Sequence, residues 1–284
     1  MGTCSWKYGS WDGLVYSGPK PDNFLREYAD HFRTVEIDQW FWSLFGADRV
    51  SLPDPRVVNE YASSVPEDFR FTVKVPNSIT LTHFYKKHKS DPLVPNPHFL
   101  CRELFLSFLD RLKPIHNKIG SLMFQFEYLN KQKMSGLQNF LDTFGSFTAK
   151  CPEGFPYGVE IRNPNYLKAA YFDFLNTHRL HHVFLQGSYM PPITEVYYAH
   201  EASIRKLAVI RLHGPERKGI EARTGGKWNR RLEPRDSELD SVVDLIGRMV
   251  NGHIDIYLNV NNHYEGSAPL TIRKIEALLK SNTQ

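Results

Sequence analysis

Eight short runs along the chain place apolar residues at alternate positions. They are GTCSW (2–6), TVEID (34–38), FRFTVKV (69–75), GSLMFQF (120–126), YGVEIR (157–162), HHVFLQ (181–186), LAVIRLH (207–213) and IDIYLNV (254–260). Such alternation is strand patterning. Between most of these runs the apolar spacing changes to three and four. Phe24-Leu25-Tyr28-Ala29-Phe32, Leu104-Phe105-Phe108-Leu109-Leu112 and Leu239-Val242-Val243-Ile246-Met249-Val250 each fall on one helical face. Ile272-Ile275-Leu278-Leu279 closes the chain with another helix, and the connection from Gly187 to Ala202 carries the weakest helical spacing.

Strands alternating with helices over 284 residues predict an α/β fold, a parallel eight-stranded TIM (β/α)8 barrel forming one domain over 1–284. A doubly wound open sheet is the competing arrangement. No GxGxxG follows the first run to support it, and no Gly- or Ser-rich linker divides the chain.

The polar positions of the alternation carry the chemistry. Glu36 and Asp38 alternate with Val35 and Ile37, Thr72 and Lys74 with Phe71 and Val73, and Gln125 with Phe124 and Phe126. Glu160 and Arg162 flank Ile161, Arg211 and His213 flank Leu212, and Asn259 and Asn261 flank Val260; Val183 and Leu185 set Gln186 on the polar face. An antiparallel sheet with one wet face would give the same pattern. Helical crossovers instead require parallel strands buried on both faces, so these groups are expected inside a closed barrel, where each needs a partner. Three acids (Glu36, Asp38, Glu160) balance three bases (Lys74, Arg162, Arg211), so the set can neutralise itself. A purely structural ion network is the alternative to a functional one. The three carboxylates and His213 could ligate a divalent metal, but the adjacent cations disfavour it, and no cofactor is expected.

Composition changes little. The chain is 41% hydrophobic, and Cys4, Cys101 and Cys151 show neither disulfide nor zinc spacing. No apolar leader or stretch of spanning length occurs, so a cytoplasmic protein without membrane contact is expected. The net charge of +4 is modest, but two segments concentrate it: His83 to Lys89 (HFYKKHK), and Arg217 to Arg235, with seven cations against Glu221 and Glu233. Both are expected as loops on the catalytic face, where Gly225-Gly226 would let backbone amides approach an anion. Trp6, Tyr8 and Trp11, then Trp40, Phe41 and Trp42, are expected on the same rim, where aromatic faces stack on bases or sugars. A hydrophobic plug is the other role open to them.

Six stretches, GTCSWKYGSWDGLVY (2–16), TVEIDQWFW (34–42), FRFTVKVPNSIT (69–80), VEIRNPNY (159–166), VIRLHG (209–214) and NVNNHYEGSAP (259–269), together resemble the YecE-like family, also called domain of unknown function 72. The resemblance covers essentially the whole chain. It implies a TIM barrel and supplies no reaction. The family's motif residues match Trp6, Tyr8, Trp11, Gly13, Tyr16, Glu36, Lys74, Glu160, Arg162, Arg211, His213, Asn261 and Asn262. The chain departs from the family pattern at Asp38–Trp42, at Glu127-Tyr128 and at Gln186, the last in place of a common Asp.

The expected function is acid/base or hydrolytic chemistry, without a metal, on a phosphorylated sugar, nucleotide or nucleic acid. Glu160, Glu36 and His213 are the proton-transfer candidates. A glycosidase would require the two carboxyls about 5–5.5 or 6.5–9.5 Å apart. Lys74 is a candidate Schiff-base nucleophile, although neighbouring carboxylates are expected to keep it protonated. Arg162, Arg211, Asn261, Asn262, Gln125, Arg230 and Arg231 would bind the anion, with Trp6, Tyr8 and Trp11 as its aromatic contacts. The rival is a nucleic-acid-binding protein without catalysis, using residues 86–89 and 217–235. The sequence leaves the oligomeric state open.

Overall fold

The computed structural model describes residues 1–282 apart from Lys87 and Lys89. Eight parallel strands close into a barrel: β1 (Gly2–Thr3), β2 (Thr34–Ile37), β3 (Arg70–Lys74), β4 (Ile119–Phe126), β5 (Tyr157–Ile161), β6 (His181–Gly187), β7 (Leu207–Gly214) and β8 (Asp255–Val260). Each strand neighbours the next in sequence, and β1 closes the ring by pairing with both β2 and β8, with Thr3 opposite Val35 and Val260. A helix crosses from each strand towards the next: α1 (Phe24–His31), α2 (Pro55–Ser64), α3 (Arg102–Arg111), α4 (Leu137–Thr148), α5 (Ala169–Thr177), α6 (Ile193–His200), α7 (Asp236–Asn251) and α8 (Ala268–Ser281), with further short helices, Asn77–Thr80 and Arg217–Thr224, in the segments after β3 and β7. The weakly patterned connection after β6 therefore does contain a helix. An antiparallel ribbon, Leu44–Gly46 with Arg49–Val50, sits between β2 and α2.

Local chemistry starts the helices where it is needed. Asn23 Oδ1 accepts from the Leu25 and Arg26 amides, and Asp54 Oδ1 accepts from Arg56 with Pro55 at the first helical position. The outward strand residues Val35, Ile37, Phe71, Val73, Phe124, Val159, Ile210, Leu212 and Leu258 are buried beneath these helices. Phe124 meets Phe105, Phe144 and Phe147 with ring centroids 5.3, 5.4 and 5.7 Å away, which fills the gap between β4, α3 and α4.

Inside the barrel, Met123, Val183, Val209 and Tyr257 form an apolar floor. This overturns the expected facing of the sixth strand. Val183 points inward, whereas His182 and Phe184 face α5 and α6 through Tyr171, Phe172 and Tyr197. Gln186 accordingly leaves the inner set: its Oε1 accepts the amide of Ile193 and caps α6. Each face of the HHVFLQ run mixes a histidine with apolar residues, so alternation could not orient it. Among the described residues no helix is long and apolar enough to cross a membrane.

Candidate active site at the barrel mouth

Above the apolar floor the strands deliver polar side chains at matched register, with Glu36 opposite Thr72, Gln125 opposite Glu160 and Arg211 opposite Asn259. Arg211 is the centre. It is 1% exposed, and its Nε and Nη2 each donate to one oxygen of the fully buried Glu36 at 2.7 Å. Its Nη1 donates to Glu160 and, at 3.4 Å, to Gln125 Oε1. The second Glu160 oxygen accepts from Arg162 Nε at 2.9 Å. Asn259 Nδ2 donates to Thr72 Oγ1 at 2.9 Å and Glu36 Oε2 at 3.4 Å. Burying so many charges is tolerable because each finds an opposite charge in hydrogen-bonding geometry.

Lys74 is different. Its Nζ lies 3.9 Å from Glu36 Oε1, which Arg211 already holds, and 4.9 Å from the Phe41 ring centroid. Burial, then Arg211, lowers its proton affinity below the ordinary lysine value, and Glu36, Glu160 and Asp38 oppose that only in part. The carboxylates favour the ammonium, as the alternation suggested, but burial and Arg211 work against them. Asp38, just past β2, shifts the other way: burial and the Glu36 charge raise it, against Lys74 and Arg211. For Glu160 burial would raise the carboxyl, but Arg211, Arg162 and Lys74 outweigh it and bring it down to about 2.

His213 Nε2 stands 3.8 Å from the buried Cys4 Sγ. Burial and the Arg211, Lys74 and Arg162 charges hold this imidazole well below its usual range, so it is neutral near pH 7. Burial and Glu36 push the Cys4 thiol up. Donor atoms of Cys4, Glu36 and His213 all lie within 4.8 Å of one another, a spacing open to a metal ion. Such an ion would have to compete with groups already in place. Both Glu36 oxygens are taken by Arg211, and Arg211 and Lys74 border the cluster as cations. Cys4 was missed in the sequence because the alternation of GTCSW groups it with Trp6 on the apolar positions, and the strand itself is only two residues long.

The aromatic expectations divide. Trp6 and Trp11 are buried in the hydrophobic core, where Trp6 packs on Tyr61 and Trp11 on Tyr8 and Tyr16; they offer no stacking face to solvent. Tyr16 donates to the Trp6 carbonyl, fixing the turn after β1. Tyr8 remains partly exposed beside Asp38, and burial with that charge raises its phenol to about 12. Trp42 is the rim aromatic, 60% exposed with its ring centroid 6.0 Å from that of Tyr85. Asn261 Oδ1 and Asn262 Oδ1 accept the amides of His263 and Ala268, so both shape the loop after β8.

The basic segments are also reassigned. Residues Arg217–Thr224 form a helix rather than a loop, and Gly225 ends it in the left-handed conformation at φ 57°. A helix C-terminus presents carbonyls, so Gly225-Gly226 are not an amide cradle there. Arg217 pairs with Glu221, Arg223 and Arg235 with Glu233, and Arg231 with Asp236 and the fully buried Glu265. Arg231 is therefore a structural cation, while its neighbour Arg230 is exposed. In the segment after β3, a cleft of about 400 Å³ is lined by Tyr85, Lys86, His88, Asn130 and Lys133, the last held by Glu127 at 2.6 Å. Lys87 and Lys89, which the expected basic loop included, lie outside the described residues.

Across residues 1–284 the sequence matches the family described as protein of unknown function DUF72. The chain belongs to that family. It is 27% identical over 167 residues to the UPF0759 protein YecE of Escherichia coli (strain K12), covering 58% of this chain and 49% of that protein. The match thus spans about half the length of that curated relative. Two crystal structures share the fold. A DUF72 family protein from Enterococcus faecalis V583 aligns with TM-score 0.68 at 19% identity, covering 98% of this chain and 94% of the other. One from Thermotoga maritima MSB8 aligns with TM-score 0.67 at 21% identity, covering 99% of both. None of these names carries an activity.

Proposed function

We propose that this DUF72 protein is an enzyme that transfers protons on a small anionic substrate, a phosphorylated sugar or a nucleotide, at the barrel mouth. The observation that carries the reading is geometric: Lys74 Nζ lies 3.9 Å from a Glu36 oxygen that Arg211 already holds, while burial lowers the proton affinity of Lys74 and raises that of Asp38 just past β2. Shifts in these directions narrow the gap between an acid and a base, which favours proton transfer to and from a substrate. Glu160, at about 2, holds its charge throughout the physiological range and serves as a fixed anion. Glu36 is committed to Arg211, whose guanidinium lies between the two carboxylates and leaves no room there for a sugar ring or an attacking water. That weighs against a glycosidase using this pair. Neutral His213 fits a hydrogen-bonding role to substrate.

Arg162 is the cation that faces outward. It is bonded to Glu160 on one side and its side chain is 38% exposed, so it can receive an anion without breaking the inner network. Non-catalytic nucleic-acid binding through residues 217–235 loses support from the pairing of Arg217, Arg223, Arg231 and Arg235 with acids. A thermal-shift series with sugar phosphates, nucleotides and inorganic phosphate tests the reading. A ligand at a hundred times its Kd should stabilise by about 2.7 kcal/mol, a shift lost in Arg162→Ala. Stabilisation by oligonucleotides alone, indifferent to Arg162→Ala, would reject it.

A further inference from the structure

We propose that Lys74 is a covalent nucleophile that forms an imine with the carbonyl group of an anionic substrate, a keto or aldehyde compound bearing a phosphate or carboxylate. This rests on the reading of the mouth as an anion-binding enzyme site and names its substrate class. The geometry is that of an amine whose counter-ion is held more closely by another cation. Lys74 ends β3 at the C-terminal side of the barrel, its side chain 10% exposed. The nearest carboxylate oxygen, Glu36 Oε1, is 3.9 Å away, beyond hydrogen-bond distance, and is bonded instead to Arg211 Nη2 at 2.7 Å. Among the described residues the ammonium makes no hydrogen bond, and it also lies over the face of Phe41, 4.9 Å from the ring centroid. An ammonium in water has three hydrogen-bond partners; here it has an aromatic ring and a guanidinium that competes for its acid.

Every charged group facing it is identified: burial and Arg211 oppose the protonated form, and Glu36, Glu160 and Asp38 favour it, with the net effect a proton affinity below that of an ordinary lysine. A lysine beside another cation and out of water is the form of this residue suited to imine chemistry. The free amine attacks the carbonyl carbon, forming an N–C bond as the carbonyl π pair moves to oxygen. Asp38 relays a proton from nitrogen to that oxygen, and a second proton from nitrogen follows as the C–O bond breaks. The oxygen departs as water carrying both amine hydrogens, so atoms balance and no oxidant or reductant is needed. Arg162 is placed to hold the anionic end.

The test is reductive trapping on the whole protein. Dihydroxyacetone phosphate and pyruvate are each incubated with it in sodium cyanoborohydride, followed by intact mass and peptide mapping. The expected result is one adduct, the mass of the carbonyl compound less one oxygen, on the peptide holding Lys74. Labelling there should exceed that at exposed lysines by about tenfold for each pH unit by which the amine's titration is lowered. Lys74→Arg, which keeps the charge, should abolish the adduct, and the wild-type map decides the matter even if that variant fails to fold. Adducts spread evenly over surface lysines, with phosphate still stabilising the protein through Arg162, would overturn the nucleophile and leave the anion site standing. Absence of both trapping and stabilisation by any anion would remove the site reading beneath it.

Discussion

Arg211 chelates Glu36 through two hydrogen bonds of 2.7 Å, joining residues 175 positions apart in the sequence. The pair is buried on both sides and is shared onward to Glu160, so β2, β5 and β7 are tied together at one point inside the barrel. Such a network adds little over an apolar core of equal volume, yet it is costly to break from one side. Its arrangement decides which neighbours stay free: with Glu36 and Glu160 saturated by guanidinium groups, Lys74 and Asp38 are left without a strong partner.

Removing the arginine alone should therefore be severe. Arg211→Met strands two buried carboxylates and is expected to lower stability by about 3–5 kcal/mol. The triple variant Arg211→Met, Glu36→Gln, Glu160→Gln should recover most of that loss. Urea denaturation of the three proteins checks both statements, and a triple variant no better than the single one would show that packing, not charge, sets the cost.

Acid should destabilise the protein early. His181 and His182 are buried and neutral, and burial brings both down to about 3. Unfolded histidine binds its proton near pH 6.5, so the unfolded state holds more protons everywhere between about 6.5 and 3. Their contribution to stability is complete above pH 6.5 and is lost as pH falls, at about 1.4 kcal/mol per pH unit for each histidine. Denaturation midpoints from pH 7 to 4 would record the slope, and His182→Gln should reduce it by about one proton.

The barrel was legible because its signal repeats: eight alternating runs and the helices between them fix a closed parallel sheet. Facing was legible where one side was polar, as at Glu36, Lys74, Glu160 and Arg211, and not at HHVFLQ, where His182 packs on Tyr171 and Val183 turns inward. The proton affinities were out of reach, since they depend on which oxygen Arg211 takes and how far Lys74 is left from it. The basic run 217–235 read as free charge because Glu265, the acid that binds Arg231, lies 34 residues away in sequence.

Adjacent arginines in that run should behave oppositely. Arg231 donates to Glu265 at 2.8 and 2.6 Å, and Glu265 also accepts from the Arg235 amide and the Thr271 hydroxyl. Arg231→Ala leaves a buried carboxylate partly uncompensated and is expected to cost about 3 kcal/mol or more. Arg230→Ala, at an exposed position, should stay within about 0.5 kcal/mol of wild type. Thermal denaturation of the two variants side by side distinguishes a structural cation from a solvated one.

Gly158 sets a last, purely steric limit on the barrel interior. A Cβ placed there would stand 2.4 Å from His181 Nε2 and 2.9 Å from Val183 Cγ2. His181 cannot simply swing aside, because its Nε2 is hydrogen-bonded to the buried Ser121 hydroxyl at 2.8 Å. Gly158→Ala should therefore destabilise by about 1–3 kcal/mol through overpacking. In a His181→Ala background the closest clash is removed and only Val183 Cγ2 at 2.9 Å remains tight, so the cost should fall in part, giving a coupling of about 0.5–3 kcal/mol in a double-mutant cycle. Additive losses would mean that the strand backbone, rather than the imidazole, resists the extra carbon.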